Sequence, residues 1–416
     1  MSKSAEHRMM RSDAWEPDRG AEAINDHILM SRGIGNSYLV TSESGDVVVT
    51  TGTVTQGPRH RQRFEELLGR PLNVRKIVFT QSHSNHIGGW PAFNGPDVET
   101  IAQRNFADGR LDWTLLAEFA GRRAGRLFSI VVDEEDRQAQ RTQAVEPVLT
   151  TTFDDSYSFE IGGRQFELYS VPGGEITDGL AVWLPSERIV FTGNLLGALY
   201  GQLPHLYTLR GDRIRSARLF VRSVNRVLDL EPEMLITAHD EPIVGSDRIR
   251  ADLTRVRDAA QYIHDETVGG MNAGKDLWTL MSEIALPSNL QPLSQGRGRV
   301  SWYVRAVWEE YAGWFRFEST TELYPVPQRA VWSEFAELAG GPDVLARHAA
   351  AHVKAGRPVE ALHFTDIALG VDPRHRTARE VQIAALETLL DRSGDAWDEV
   401  RWLETELELA HAALEQ

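Results

Sequence analysis

A chain of 416 residues, 42% hydrophobic and 25% charged, has the balance of an ordinary globular protein and the length of two or three domains. That composition excludes collagen, coiled-coil and disordered chains, and no apolar run approaches the ~18 residues that would span a membrane. The net charge of −16 argues against a nucleic-acid partner, and the absence of cysteine removes disulfides, thiolate metal ligands and a thiol nucleophile.

Residues 1–25 read as a flexible leader. Their polar start, without the apolar segment of a secretory signal, gives the expectation of a cytoplasmic protein. Residues 36–53 read as two strands around the turn Glu43-Ser44-Gly45-Asp46. Residues 59–69 have helical spacing, with Phe64, Leu67 and Leu68 on one side, and 74–80 form a further strand. A helix is expected over 111–128, and the acidic stretch Asp133-Glu134-Glu135-Asp136 reads as a solvated loop. Strands are expected at 159–161, 165–171, 180–184, 189–191 and 234–237, with a helix over 212–230. Interleaved strands and helices imply a layered α/β domain over 26–245.

Beyond residue 246 the strand pattern ends, and 246–416 reads as a second, all-helical domain. Gly356-Arg357-Pro358 with Ala361-Leu362, then Ala368-Leu369 and Asp372-Pro373, resembles one tetratricopeptide-type hairpin rather than an array. His348 and His352 have the spacing of a metal-binding helix pair, but Ala349 stands where a catalytic glutamate would be needed, so the pair reads as structural. The aromatic series Trp302, Tyr303, Trp308, Tyr311, Trp314 and Phe315 reads as core or subunit interface, and Arg215, Arg218, Arg222 and Arg226 as a solvated or interfacial helix face.

Chemistry concentrates after the strand at 74–80, in Gln81-Ser82-His83-Ser84-Asn85-His86-Ile87-Gly88-Gly89. Alternate residues of an extended segment point the same way, and the glycines let the next helix approach closely. By spacing alone, surface histidines fit as readily as metal ligands.

The segment resembles the His-x-His-x-Asp-His signature of the metallo-β-lactamase superfamily. Other landmarks follow in order: Val47 to Gly52 resembles the strand ending in Asp-Thr-Gly, with Thr50 at the aspartate place. Gly174-Glu175-Ile176-Thr177-Asp178-Gly179 resembles the Gly-His-Thr-type loop, with Glu175 at the histidine place and the family's remaining glutamate falling at Glu175, Asp178 or Gly179, Glu175 being the better candidate; Thr192-Gly193-Asn194 resembles the loop of the bridging carboxylate, and Thr237-Ala238-His239 the last histidine. Leu206-Tyr207-Thr208-Leu209-Arg210-Gly211 and Tyr262 to Thr267 are similar to elements of the alkyl sulfatases. The resemblance implies an αββα sandwich followed by a helical, tetratricopeptide-like dimerisation domain, hence a homodimer.

The departures are chemical. Gln81 stands for the first histidine, Asn85 for the aspartate, and Asn194 for the bridging acid. Two divalent ions ~3.5 to 4 Å apart need such anions against their mutual repulsion. The expectation is therefore one zinc ion rather than two, with iron or another divalent metal as alternatives. His86 and His239 would hold it, His83 and Glu175 come next, and Gln81, Asn85 and Asn194 serve as weak ligands or hydrogen-bonding supports. The resemblance makes Arg210 the sulfate contact, a role suited to a guanidinium fork, and puts His205, where the family has asparagine, as an added anion contact or proton donor. Together these imply a metal-dependent hydrolase of a small anionic ester, a sulfate ester foremost, with Arg210, His205 and Glu175 as catalytic candidates. Altered redox or lyase chemistry with one metal, and a decayed dimeric binding protein, are the competing readings.

Overall fold

The computed structural model describes residues 20–128, 138–139, 142–197, 200–204, 206–211, 213, 215–291 and 293–415. His205 and the acidic stretch at 133–136 lie outside the described residues. Seven strands form the first sheet in sequence order: β1 (Glu22–Ala23), β2 (Ile28–Ser31), β3 (Ser37–Ser42), β4 (Gly45–Val49), β5 (Val74–Val78), β6 (Glu99–Gln103) and β7 (Thr151–Phe153). Strands β1 to β4 pair antiparallel, and β4 to β7 pair parallel. The second sheet has six: β8 (Ser156–Ile161), β9 (Arg164–Ser170), β10 (Leu180–Leu184), β11 (Ile189–Gly193), β12 (Met234–Thr237) and β13 (Ile243–Val244). Only β11 and β12 are parallel there. The short strand β1 pairs with β2 inside the span expected to be a leader.

The helices of the first part are α1 (Gln56–Leu68), α2 (Ser84–Ile87), α3 (Phe106–Leu115), α4 (Ala117–Phe128), α5 (Ala217–Asp229), α6 (Ser246–Asn272), α7 (Leu277–Glu283) and α8 (Val300–Ala312). Side-chain alternation explains the layering. In β4, Val47 and Val49 face the second sheet and meet Phe166, Leu180, Phe191 and Ile236 in one core. Val48 faces the other way and packs with Phe64 of α1, Ile77 and Phe79. On the far side, Val190 and Leu235 pack under Phe220 and Val224 of α5 and Ile249 and Leu253 of α6. The layers are therefore helix, sheet, sheet, helix, as expected.

The chain packs as two compact units, 1–124 with 129–311, and 125–128 with 312–416. Division by packing and division by sequence pattern thus fall at different places. Residues 246–311 contain no strand, yet Ile263, Tyr303, Val304 and Val307 share the core of α5 and the second sheet, which keeps them with the first unit. The second unit is helical: α9 (Trp332–Leu338), α10 (Pro342–Lys354), α11 (Pro358–Val371), α12 (Arg376–Arg392) and α13 (Trp397–Leu414). His348 and His352 there stack on Phe364, with centroids 5.9 and 5.1 Å away, a packing role.

His60 of α1 is fully buried, with Nδ1 2.7 Å from Ser31 Oγ. Burial, reinforced by Arg63 and Arg59, pushes its pKa from 6.5 down to about 3. The folded state binds fewer protons than the unfolded one, so the stability that neutral His60 contributes is complete above pH 6.5 and is lost as pH falls toward 3. We expect acid to cost on the order of a few kcal/mol through this group. Urea unfolding at successive pH values should show a shallower decline for His60→Gln; an unchanged slope would contradict the assignment.

Candidate metal centre

The site lies where strand ends from the two sheets meet. Gln81 and His83 follow β5, Glu175 follows β9, Asn194 follows β11 and His239 follows β12. Hydrogen bonds join the sheets at this end: Leu180 N donates to Thr80 O (2.9 Å), Asn36 N to Ala238 O (2.8 Å) and Tyr38 Oη to Thr237 O (2.6 Å). Thr50, at the family's aspartate place, has a left-handed φ of 58°. A β-branched residue pays for that conformation; here its N–H reaches Val78 O (3.1 Å), its hydroxyl caps Asn36 O, and its carbonyl accepts from Ser37 Oγ (2.8 Å).

The glycine pair also has a role, though not with the helix that follows. A Cβ on Gly89 would lie 2.5 Å from Cα of Gly57 in α1, and closer still to the Thr51 carbonyl. It is the preceding helix and the β4–α1 loop that press against the motif. Thr51 N then donates to His86 O at 2.7 Å, which holds the backbone of α2 in place.

The Glu175 carboxylate, with a side chain 5% exposed, is the centre of the cluster. Its Oε2 accepts from Gln81 Nε2 (3.3 Å) and from Asn194 Nδ2, and lies 3.4 Å from His83 Nδ1. Its Oε1 lies 3.5 Å from an Arg210 guanidinium nitrogen. Asn194 Nδ2 also faces His86 Nε2 at 3.3 Å, and Gln81 Nε2 lies 3.2 Å from His83 Nδ1. The His86 and His239 rings stand edge to face with centroids 5.5 Å apart. Burial lowers the pKa of both imidazoles; the neighbouring His239 lowers that of His86 further.

The structure therefore brings Gln81, His83, His86, Glu175, Asn194, Arg210 and His239 together. Among the described residues, no hydrogen bond links the Asn85 side chain to them. Two neighbours complete the surroundings: Asp178, the other acid of the Glu175 loop that the resemblance left open, and Trp113, which sequence reasoning passed over. Asp178 is buried, accepts from Ser82 Oγ (3.1 Å), and has its pKa raised to about 6 by burial. Trp113 of α3 sets its ring edge to face with His83, 5.3 Å between centroids, while the Arg210 guanidinium lies 5.8 Å from the indole centroid. The i, i+3 and i, i+4 spacing of Gly109, Arg110 and Trp113 was the available signal.

Several polar atoms of the cluster lack a partner within the described residues. Among the described residues, His86 Nδ1, His239 Nε2 and Asn194 Oδ1 are buried without a hydrogen-bond partner, a state costly to leave uncompensated. Glu175 is the carboxylate that Gln81, His83, Asn194 and Arg210 contact, whereas Asp178 accepts from Ser82 Oγ. As the side chains stand, no three His, Asp or Glu groups among the described residues are arranged to hold a metal. The Asn194 amide lies between His86 and Glu175.

Gly89→Ala should destabilise the protein by about 2 kcal/mol or more, because the added methyl meets backbone that cannot yield. Chemical denaturation checks this; an unchanged midpoint would remove the close-approach role.

Comparison with known proteins agrees with this geometry. A model of the metallo-beta-lactamase superfamily matches residues 30–239, and one described as alkyl sulfatase dimerisation matches 279–411. A linear primary-alkylsulfatase of a Pseudomonas species is 26% identical over 84% of this chain and 69% of its own length. An alkyl/aryl-sulfatase of Saccharomyces cerevisiae is 24% identical over 89% of this chain and 60% of its own. The solved structure of a stereoselective inverting sec-alkylsulfatase from Pseudomonas superposes with a TM-score of 0.80, at 22% identity, covering 94% of this chain and 66% of that one. The chain thus spans between 60 and 69% of the length of these relatives. With the family match covering just over half of the residues and the layered sheets carrying the expected loops at their ends, the chain belongs to the metallo-beta-lactamase superfamily, followed by an alkyl sulfatase dimerisation domain.

Proposed function

We propose that the chain is a metal-dependent hydrolase of a small anionic ester, a sulfate ester foremost. The observation that carries this reading is Arg210 poised 3.5 Å from Glu175, at the edge of a cluster of three histidines. The side chain of Arg210 is 23% exposed whereas that of Glu175 is 5% exposed, so the guanidinium is the part an arriving anion meets. Its planar fork binds two oxygens of a tetrahedral oxyanion at once. Binding there also neutralises charge beside Glu175, in surroundings where burial strengthens each electrostatic contact.

The superfamily implies a divalent metal. In this chain His86, His239, His83 and Glu175 would hold one zinc ion, with iron or another divalent metal able to use the same donors. When bound, the ion supplies Lewis acidity to an ester oxygen and to a water molecule. The chain's own residues do the rest. Gln81 and Asn194 orient the Glu175 carboxylate through their amides, His86 and His239 stay unprotonated because they are buried, and Trp113 shields the His83 face from water. His205 as an anion contact or proton donor, and Asn85 as a weak ligand, remain proposals that rest on the resemblance.

A second reading, an anion-binding protein without catalysis, has one observation in its favour. Glu175 already takes two amide N–H groups, as a satisfied polar network would.

The dimerisation match and the exposed apolar side chains of the second unit support a homodimer through its helices. Trp314, Phe317 and Leu338 are 68, 86 and 84% exposed, side chains that a partner surface would cover. No helix among the described residues is long and apolar enough to cross a membrane. A cytoplasmic location, without nucleic acid, is the proposal that the charge and the lack of cysteine permit.

Elemental analysis of the purified chain should find one divalent ion per chain, and sulfate release should be seen from a panel of alkyl sulfates. Arg210→Ala should lower kcat/KM by about a hundredfold, the scale of a lost charge-assisted pair. Two zinc ions per chain would refute the single-ion assignment. A metal-loaded chain that binds sulfate yet releases none from any ester would favour the second reading. Sedimentation velocity should give a dimer that Phe317→Asp weakens; a wild-type monomer at micromolar concentration would exclude the interface.

A further inference from the structure

We infer that Trp113 is the positioning residue that sets the Arg210 guanidinium relative to His83. The inference rests on the reading of Arg210 as the anion's contact. Helix α3 is fastened to the motif loop on one side. Arg110 Nη1 donates to Ser82 O at 3.0 Å and is itself steadied by a two-pronged ion pair with Glu146. A Cβ on Gly109 would come 2.5 Å from Ser82 Oγ, a hydroxyl held by its bond to Asp178, so a glycine here lets the helix sit this close.

On the other side, α3 and α4 hold the loop that carries Arg210. Arg213 pairs with Asp112, the residue before Trp113, at 2.7 Å, and Arg123 of α4 donates to the Leu209 carbonyl at 2.7 Å. Trp113 lies between these two sets of contacts and touches a member of each, His83 by its ring and Arg210 by its indole face. A guanidinium over an indole keeps its N–H edge free for in-plane acceptors, so the stacking orients the fork without using up its donors. Two of the neighbours of Arg210 work in opposition: Glu175 draws it toward the cluster, and the indole limits how it can turn.

The test uses the full chain and inorganic sulfate, measured by calorimetry, with Trp113→Phe, Trp113→Leu and, as a control, Leu116→Ala on the exposed side of the same region. Phenylalanine keeps an aromatic face and leucine keeps bulk without one. Sulfate affinity should fall about tenfold in Trp113→Leu, stay within threefold in Trp113→Phe, and be unchanged in Leu116→Ala, as loss of a desolvated cation–π contact requires. A second readout follows the Arg210 Nε–H resonance, assigned by its loss in Arg210→Lys. It should carry a ring-current shift that Trp113→Leu abolishes and Trp113→Phe reduces, an effect that bulk alone does not give. Equal sulfate affinity in wild type and Trp113→Leu would overturn the inference, as would an Arg210 resonance that does not move. Absence of sulfate binding in the wild type, with the ring-current shift present, would fail the anion reading while leaving the Trp113–Arg210 contact standing.

Discussion

A single buried carboxylate, that of Glu175, sets the terms for the rest of the site. Two amides, an imidazole and a guanidinium surround it, and each is there because an anion in a low-dielectric setting must be compensated by whatever the fold can aim at it. Without the Glu175 side chain, Gln81 and Asn194 would lose their present acceptor, and Arg210 would lose its ion-pair partner in the cluster.

The fold makes that convergence possible. The donors come from four strand ends in two sheets, and the sheets are held in register at this end by backbone hydrogen bonds and by the Tyr38 hydroxyl reaching the Thr237 carbonyl. The strained Thr50 and the glycine contact between Gly57 and Gly89 are the local costs of bringing those ends close. The core behind them, built of β-branched and aromatic side chains from both sheets, supplies the stability that offsets them.

Much of this was legible in the residues. Strong strands such as Val47-Val48-Val49 and the helix periodicity past residue 246 were plain, because burial writes period two or period 3.6 directly into hydropathy. Strands β2, β6 and β7 went unread. Ile28-Leu29-Met30-Ser31 is short, and Glu99-Thr100-Ile101-Ala102-Gln103 mixes polar and small residues, so their strand state comes from neighbouring strands rather than from their own pattern. Packing divides the chain elsewhere than the sequence pattern does: helices 246–311 look like those that follow, but their apolar faces lie on the second sheet and α5.

For the site, the order of the motif residues along the chain already told which side chains are donors and which had become amides, and therefore how much negative charge the centre can hold. Charge and donor type are properties of a residue and survive any fold. Orientation does not. That Asn194 reaches both His86 and Glu175, that among the described residues no hydrogen bond ties Asn85 to the cluster, and that Trp113 touches His83 and Arg210 together were decided by packing between strands and helices, with Asn194 and His86 108 residues apart. Contacts of that kind depend on distances that only the folded backbone sets.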